Sequence, residues 1–397
     1  MTSNSAAAPP FPHLRIPAGT SAFDRGACYG QFARQEILHS RTTYARLFAG
    51  CGIDWPTACA RAETYGETIE RIDATLLEEM RGIAVGADLA LAEVLALNCR
   101  TELLPPDFFS GKTYDSAQAL TVNRSVGIED WLDTKSLDPA VADGECTSLG
   151  ATGVATANGH TFIAQNWDWL GRQRQALVIL SSHDSNGMPF TTLTEGGMLA
   201  KIGLNDAGLA VGLNILRSNH DGVTPGVPVH VLLRHLLSLQ SLSDARDRIG
   251  NLAGSLGFGA ASTVFLGAAG TSVAAFELAP RGWAELTPVN GVLAHSNHFV
   301  SDALREVQAA MAPALSSVPR LITANEHGAK APLDKAAFER FLRDESDGFQ
   351  SVCRRPDPAI DLGAQVESVA GVIIDCDARA FWICPGVPSQ TEFVRVQ

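Results

Sequence analysis

The chain has 397 residues, 46% of them hydrophobic and 18% charged, with a formal net charge of −13. That length buries a sizeable core in one large or two ordinary domains, and the composition is that of a globular protein. The acidic balance argues against nucleic acid, whose phosphates are neutralised by Lys and Arg, and equally against an anionic membrane surface.

The first twelve residues have neither a basic start nor an apolar run, so they do not read as a secretory signal. No stretch approaches the ~20 apolar residues that span a bilayer, and the expectation is a cytoplasmic protein. Residues 1–104 read as mainly helical. Within 24–48, Tyr29, Phe32, Ala33, Ile37 and Leu38 share one helical stripe, and 75–99 reads as two helices broken near Gly86. The segment 105–145 carries Pro105-Pro106 and Gly111 and little periodicity, so it reads as a long irregular connection. Eight cysteines (Cys28, Cys51, Cys59, Cys99, Cys146, Cys353, Cys376 and Cys384) include no C-x-x-C pair. Seven of them are expected to be reduced and structural.

From Cys146 the pattern turns to strands. Stretches 147–157 and 160–169 flank Asn158-Gly159, a hairpin signal because a type I′ turn needs positive φ at both central residues. Further strands are predicted at 176–182, 190–194, 201–204 and 209–214, the last two joined by a turn at Asn205-Asp206-Ala207-Gly208. Helices follow at 229–239 and from Ser243, an N-cap ahead of Asp244. Strands return at 262–266, 273–278, 283–286 and 292–295, then helix around 301–345. A hairpin of 368–375 and 380–383 closes the chain. Antiparallel strands with segregated helices imply stacked sheets covered by helices, an α+β sandwich.

Cys146 lies in Asp143-Gly144-Glu145-Cys146-Thr147-Ser148, shortly before Gln165-Asn166-Trp167-Asp168-Trp169. A cysteine nucleophile needs a proton acceptor. A neighbouring His is the usual one. A free α-amine, with a pKa near ~7.7–8.0 against ~8.5 for the thiol, serves equally well. That second route requires the bond before Cys146 to be broken. The same thiol can do this by attacking the Glu145 carbonyl, after which water hydrolyses the thioester.

These motifs resemble the acyl-CoA:6-aminopenicillanic acid acyltransferase family of N-terminal nucleophile hydrolases. The resemblance continues through Gly19 to Ser40, through Ala96-Leu97-Asn98-Cys99-Arg100, and through Gly226 to Leu237. It extends to Ala294-His295-Ser296-Asn297-His298-Phe299, Ser351-Val352-Cys353-Arg354 and the stretch from Glu367 to Asp375. It implies a four-layer αββα sandwich. It also implies self-cleavage between Glu145 and Cys146, giving a mainly helical piece, 1–145, and a catalytic piece, 146–397, that stay associated. Homo-oligomerisation is left open. By position, Cys146 matches the nucleophile, Asp168 the acid that orients its amine and thiol, and Asn297 an oxyanion donor. Arg354, with Trp167 and Ser351, matches the substrate pocket. One departure is Glu145, where fungal members carry glycine.

The reaction so implied is hydrolysis of a linear N-acyl amide through a Cys146 thioester. Acyl transfer from an acyl-CoA to an amine is the alternative, and a non-catalytic sensor with Trp167 and Trp169 as its binding surface is a further one. No metal or organic cofactor is expected. A Cys–His pair using His160, His295 or His298 is a weaker reading, because no papain-like signature accompanies Cys146. So is a zinc site at His295-x-x-His298, since residues three apart on a strand face opposite ways. Gly254, Gly257 and Gly259 lack a nucleotide fingerprint and read as a flexible connection. Asp344 to Asp347 reads as a solvated helix end.

Overall fold

Two sheets face each other across the core, and helices cover both outer faces. The structure, a computed structural model, describes residues 10–108, 110, 112, 114–128, 146–310, 316–360 and 365–397. One sheet runs in the order β1 (His13–Arg15), β4 (Leu177–His183), β5 (Pro189–Glu195), β6 (Ile202–Asn205), β7 (Leu209–Ile215), β8 (Ser262–Ala268), β9 (Ser272–Ala279), β10 (Gly282–Leu286). The other runs β11 (Val292–His295), β2 (Cys146–Ala151), β3 (Phe162–Leu170), β12 (Val366–Asp375), β13 (Ala380–Pro385), β14 (Val394–Arg395). Pairing is antiparallel except where β1 joins β4. Every residue of β2, β3, β7 and β12 is buried, as strands covered on both faces must be.

Helices α10 (Ser317–Gly328) and α11 (Lys335–Leu342) cover the six-stranded sheet, while α8 (Val229–Leu236) and α9 (Leu242–Ser255) cover the eight-stranded one. The N-terminal region adds α1 (Ala22–Phe32), α2 (Arg34–Gly50), α3 (Trp55–Glu63), α4 (Gly66–Ala87), α5 (Leu91–Asn98), α6 (Arg100–Leu103) and α7 (Ala117–Ser125). It packs on α8 and on β5. The expected α+β sandwich with segregated helices is therefore the observed architecture. No described helix is long and apolar enough to cross a membrane.

Several boundaries differ from expectation. The helix through Gly86 does not break there; α4 continues to Ala87 and ends on Asp88, which adopts a left-handed conformation at φ 58°. Gly86 serves close packing instead. A Cβ there would lie 2.2 Å from the Ala27 carbonyl oxygen of α1, and one at Gly26 would lie 1.9 Å from that of Glu79. The interruption in α4 falls at Asp73, whose side chain accepts from the Thr75 N–H at 2.9 Å. The connection 105–145 contains α7, so its described part is not wholly irregular. The β2–β3 hairpin exists, but its turn is not type I′: of Asn158 and Gly159 only Gly159 has positive φ, and a 3₁₀ turn at Gly153–Ala155 lengthens the link. The N-cap of α9 is Ser241 rather than Ser243, its hydroxyl accepting from the Asp244 N–H at 3.1 Å. Gly254 lies within α9, and Gly257 and Gly259 exchange backbone hydrogen bonds with Val227. Asp344 is not merely solvated; it pairs with His327 at 2.8 Å. All eight cysteines are free thiols, and Cys28 is exposed.

Candidate active site

Cys146 is the first residue of β2 and sits directly opposite Trp167 of β3. Strand alternation sends neighbours to opposite faces. Cys146 and Ser148 face the second sheet, where the Ser148 hydroxyl donates to Asn214 Oδ1 at 2.9 Å. Trp167, Trp169 and Gln165 share that inner face, and Gln165 Nε2 donates to the Leu213 carbonyl at 2.6 Å. Thr147, Asn166 and Asp168 face outward under α10 and α11. There Asn166 Nδ2 reaches the carbonyls of Leu342 and Val352, both at 2.8 Å.

The backbone of Cys146 is held on every side. Its nitrogen donates to Asn297 Oδ1 at 2.9 Å. Its carbonyl accepts from Asn214 Nδ2 at 2.9 Å and from Arg320 Nη1 at 3.0 Å. Arg320 also donates to Thr147 Oγ1 at 2.6 Å and to Asn297 Oδ1 at 3.1 Å. Asn297 in turn receives Ser317 Oγ as acceptor for its N–H at 2.8 Å and donates Nδ2 to the Ile215 carbonyl at 2.9 Å. A side-chain amide nitrogen carries two hydrogens, so one remains to be directed elsewhere.

Asp168 accepts from the Ser368 hydroxyl at 2.6 Å, and the same hydroxyl accepts from the Arg354 backbone N–H at 2.9 Å. The Arg354 side chain donates Nε to the Phe349 carbonyl at 3.1 Å. Ser351 is buried and accepts from the Asp347 N–H at 2.7 Å. Asn297 is thus bonded to Cys146, and Arg354 to Asp168 through Ser368, around one end of β2 and β3, where the Asp168 N–H also reaches the Cys146 thiol. Ser351 is occupied in a neighbouring turn, and Trp167 is buried on the inner face. Glu145 lies outside the described residues.

Burial pushes the Cys146 thiol up; the positive charge of Lys201 pulls it down, the Asp168 carboxylate pushes it up, and hydrogen bonds from the Asp168 N–H and Gln165 pull it down. Lys201, fully buried, places Nζ 3.4 Å from the Trp167 ring centroid. Burial, aided by the charge of Arg100, pulls Lys201 down to about 7. Arg100 Nη2 bonds Glu195 Oε1 at 3.1 Å, and its guanidinium lies 4.9 Å from the Trp169 ring centroid.

The histidines are engaged elsewhere. His295 contacts Glu277 Oε1 at 2.9 Å and the Ser296 carbonyl at 2.7 Å. His160 pairs with Asp375 at 2.9 Å at the opposite end of β3. His298 contacts Ser317 Oγ at 2.8 Å, and burial first, then the charges of His295 and Arg320, hold it down at about 4. His295 and His298 therefore form no metal site with Cys146. The one cluster with metal-ligating reach among the described residues is His160, Asp375 and Asp377. Both Asp377 carboxylate oxygens there accept backbone N–H groups of Thr161 and Gly270.

Sequence reasoning missed Arg320, Asn214, Ser368 and Lys201. Two left a trace. Arg320 interrupts a buried stripe with Ala324 and Gly328 on α10. Lys201 stands alone among Met198, Leu199, Ala200 and Ile202.

The sequence profile of the acyl-coenzyme A:6-aminopenicillanic acid acyl-transferase family matches residues 154–390. The chain belongs to that family. Over 285 residues it is 27% identical to the acyl-coenzyme A:6-aminopenicillanic-acid-acyltransferase 40 kDa form of Emericella nidulans. That match covers 70% of this chain and 66% of the relative, so the chain spans just under two thirds of its length. Among solved structures, penicillin V acylase from Agrobacterium tumefaciens matches with a TM-score of 0.40 and 15% identity, over 60% of this chain and 83% of that one. A variant of conjugated bile acid hydrolase from Clostridium perfringens matches with 0.41 and 10%, over 60% and 89%.

Proposed function

We propose that this protein is a self-processing cysteine amidohydrolase that cleaves a linear N-acyl amide through a Cys146 thioester. The observation that carries this reading is the clamp on Cys146. Asn297 holds its nitrogen, and Asn214 and Arg320 hold its carbonyl. A strand-initiating cysteine so fixed keeps its sulfur and nitrogen in register whether or not the preceding bond is intact.

The chain cleaves between Glu145 and Cys146, and the nitrogen becomes an α-amine. With a pKa near ~7.7–8.0, that amine accepts the proton of a thiol that burial has pushed up. The thiolate attacks the substrate carbonyl, and the second Asn297 Nδ2 hydrogen meets the oxyanion. Asp168, steadied by Ser368, stabilises the protonated amine. Arg354, Trp167 and Ser351 shape the substrate pocket, with Arg354 the group to meet a substrate carboxylate. The protonated amine then gives its hydrogen to the leaving nitrogen, and water hydrolyses the thioester.

Residues 1–145 remain bound after cleavage. Arg100 bonds Glu195 at 3.1 Å, Tyr29 donates to the Glu195 carbonyl at 3.1 Å, and Asn98 donates to the Gly197 carbonyl at 2.8 Å. A cytoplasmic setting suits the free thiols. The family's name favours a second reading, in which an amine rather than water takes the acyl group from a CoA thioester. The thioester step is common to both.

Mass spectrometry with N-terminal sequencing, alongside a screen of N-acyl amides and acyl-CoA donors, tests this. Wild type is expected as two fragments, the second beginning at Cys146. Cys146→Ala is expected intact, with turnover down by on the order of 10⁴-fold or more. An unbroken wild-type chain with full activity, or turnover in Cys146→Ala within about 100-fold of wild type, overturns the reading.

A further inference from the structure

Before cleavage, the nitrogen of Cys146 is an amide and cannot accept a proton. The first attack by the thiol therefore needs a different base from the one that serves every later turnover. The three histidines nearest in role are committed: His160 to Asp375, His295 to Glu277 and the Ser296 carbonyl, His298 to Ser317.

Lys201 has the right position. It comes from the facing sheet, immediately before β6, and its Nζ sits over the Trp167 indole, 3.4 Å from the ring centroid. Trp167 is the cross-strand partner of Cys146. Such partners share a face, with Cβ atoms ~4.5–5.5 Å apart, so lysine and thiol meet in the same intersheet space.

Lys201 is also the cation least compensated there. Its nearest carboxylate oxygen, Glu195 Oε1, is 3.7 Å away. That carboxylate already serves Arg100 at 3.1 Å, Gln173 Nε2 at 2.7 Å and the Tyr44 hydroxyl. His230 of α8 faces the same space and is held neutral, first by burial and then by the charges of Arg100 and Lys201. Two cations thus lean on Glu195 in a buried region, with the charge of Glu102 acting on Arg100 as well. Arginine does not release its proton, whereas a buried lysine does.

We propose that Lys201, as the neutral amine, accepts the Cys146 thiol proton in the uncleaved precursor and is the catalytic base of self-cleavage. This rests on the self-processing reading above. The proton passes from sulfur to Nζ. The thiolate forms a bond to the Glu145 carbonyl carbon, and the carbon–nitrogen bond breaks as the nitrogen takes the proton back from Lys201. Lysine is neutral again, Glu145 is held as a thioester, and the α-amine is free. Water then splits the carbon–sulfur bond, leaving the Glu145 carboxyl and restoring the thiol. From that point the α-amine replaces Lys201 as base.

The test follows the intact mass of freshly synthesised chain over time at pH 6 to 9 for wild type, Lys201→Arg, Lys201→Met and Lys201→Ala, with thermal melting of each. Lys201→Arg keeps a cation over Trp167 but cannot give up its proton. Expected for Lys201→Arg and Lys201→Met is cleavage slowed by at least ~100-fold, with turnover per matured site reduced by less than ~10-fold. Ethylamine added to Lys201→Ala is expected to restore cleavage and to supply matured sites if none form otherwise. The wild-type rate is expected to fall as Lys201 protonates below about 7. Cleavage of Lys201→Arg and Lys201→Met at the wild-type rate overturns the proposal. So does an equal loss of cleavage and turnover with lowered melting and no response to ethylamine, which marks a structural role. Cleavage of Cys146→Ala at the same bond would instead sink the nucleophile assignment itself.

Discussion

The β2–β3 hairpin presents two faces to two different environments. Outward, under α10 and α11, Arg320 and Asp168 are charged groups fixed by hydroxyls, amides and carbonyls: Thr147, Ser316, Asn297 and the Cys146 carbonyl for one, Ser368 for the other. Inward, Lys201 and Arg100 crowd one carboxylate between two tryptophans. The outer face, with Asn214 reaching the Cys146 carbonyl from the facing sheet, fixes where Cys146 is. The inner face tunes what charge its surroundings carry. Position and reactivity are therefore separable, and substitutions on the two faces should fail in different ways.

Asn297→Ala removes the group that holds the Cys146 nitrogen and that, in the proposed reaction, meets the oxyanion. Its kcat should drop ~10²–10³-fold with KM little changed. A change confined to KM would break the outer-face assignment. Arg320→Met strips a buried cation from the Cys146 carbonyl and Thr147. It should cost about 3 kcal/mol of stability in a denaturant titration and lower kcat by ~10–100-fold through misplacement of the thiol. Unaltered melting would mean that the clamp is not needed for position.

On the inner face the signature is pH-dependent. The folded Lys201 value of about 7 lies below that of an exposed lysine, so the unfolded chain holds more protons between those values. The destabilisation from burying Lys201 is fully present below pH 7 and is relieved as pH rises above it. Lys201→Met should therefore exceed wild type in stability most at low pH. The gap should narrow by up to ~1.4 kcal/mol per pH unit between pH 7 and 9. A gap that stays constant with pH would remove the charge imbalance from the inner face. The smallest effect is expected from Ser368→Ala, which deletes one hydrogen bond to Asp168. About 1 kcal/mol of stability and a few-fold loss of kcat should follow, with no pH signature of the Lys201 kind.

Much of the fold was legible because local signals agreed. The turn at Gly208 (φ +87°) and the hairpin about Cys376 to Arg379 place β6–β7 and β12–β13 as expected. The Asn158-Gly159 turn misled because a 3₁₀ segment, invisible to two-residue alternation, intervenes. Gly86 misled because glycine marks both a chain break and a close approach, and here an opposing backbone demanded it. Cys146, Asp168 and Asn297 stood out through motif order. Arg320, Lys201, Glu195 and Arg100 did not, because each acquires its meaning from a partner distant in sequence: Cys146 and Asn297 for Arg320, Trp167 for Lys201, and Glu195 and Arg100 for each other. A lone cation inside an apolar run was the available clue at Lys201 and Arg320 alike.

The contact of α1 with α4 bears on the proposed cleavage before Cys146. At Gly26, Gly30, Gly82 and Gly86 any added carbon would strike the opposing backbone, at 1.9 to 2.3 Å. Glu79 in the same seam binds both Arg25 and, across in α8, Arg234, at 3.3 and 3.4 Å. Helices seated this tightly do not loosen by degrees. Both lie within residues 1–145, so the seam makes one rigid block of them, and the Glu79–Arg234 pair ties this block to α8. Under the proposed cleavage, block and remainder should still melt in a single transition.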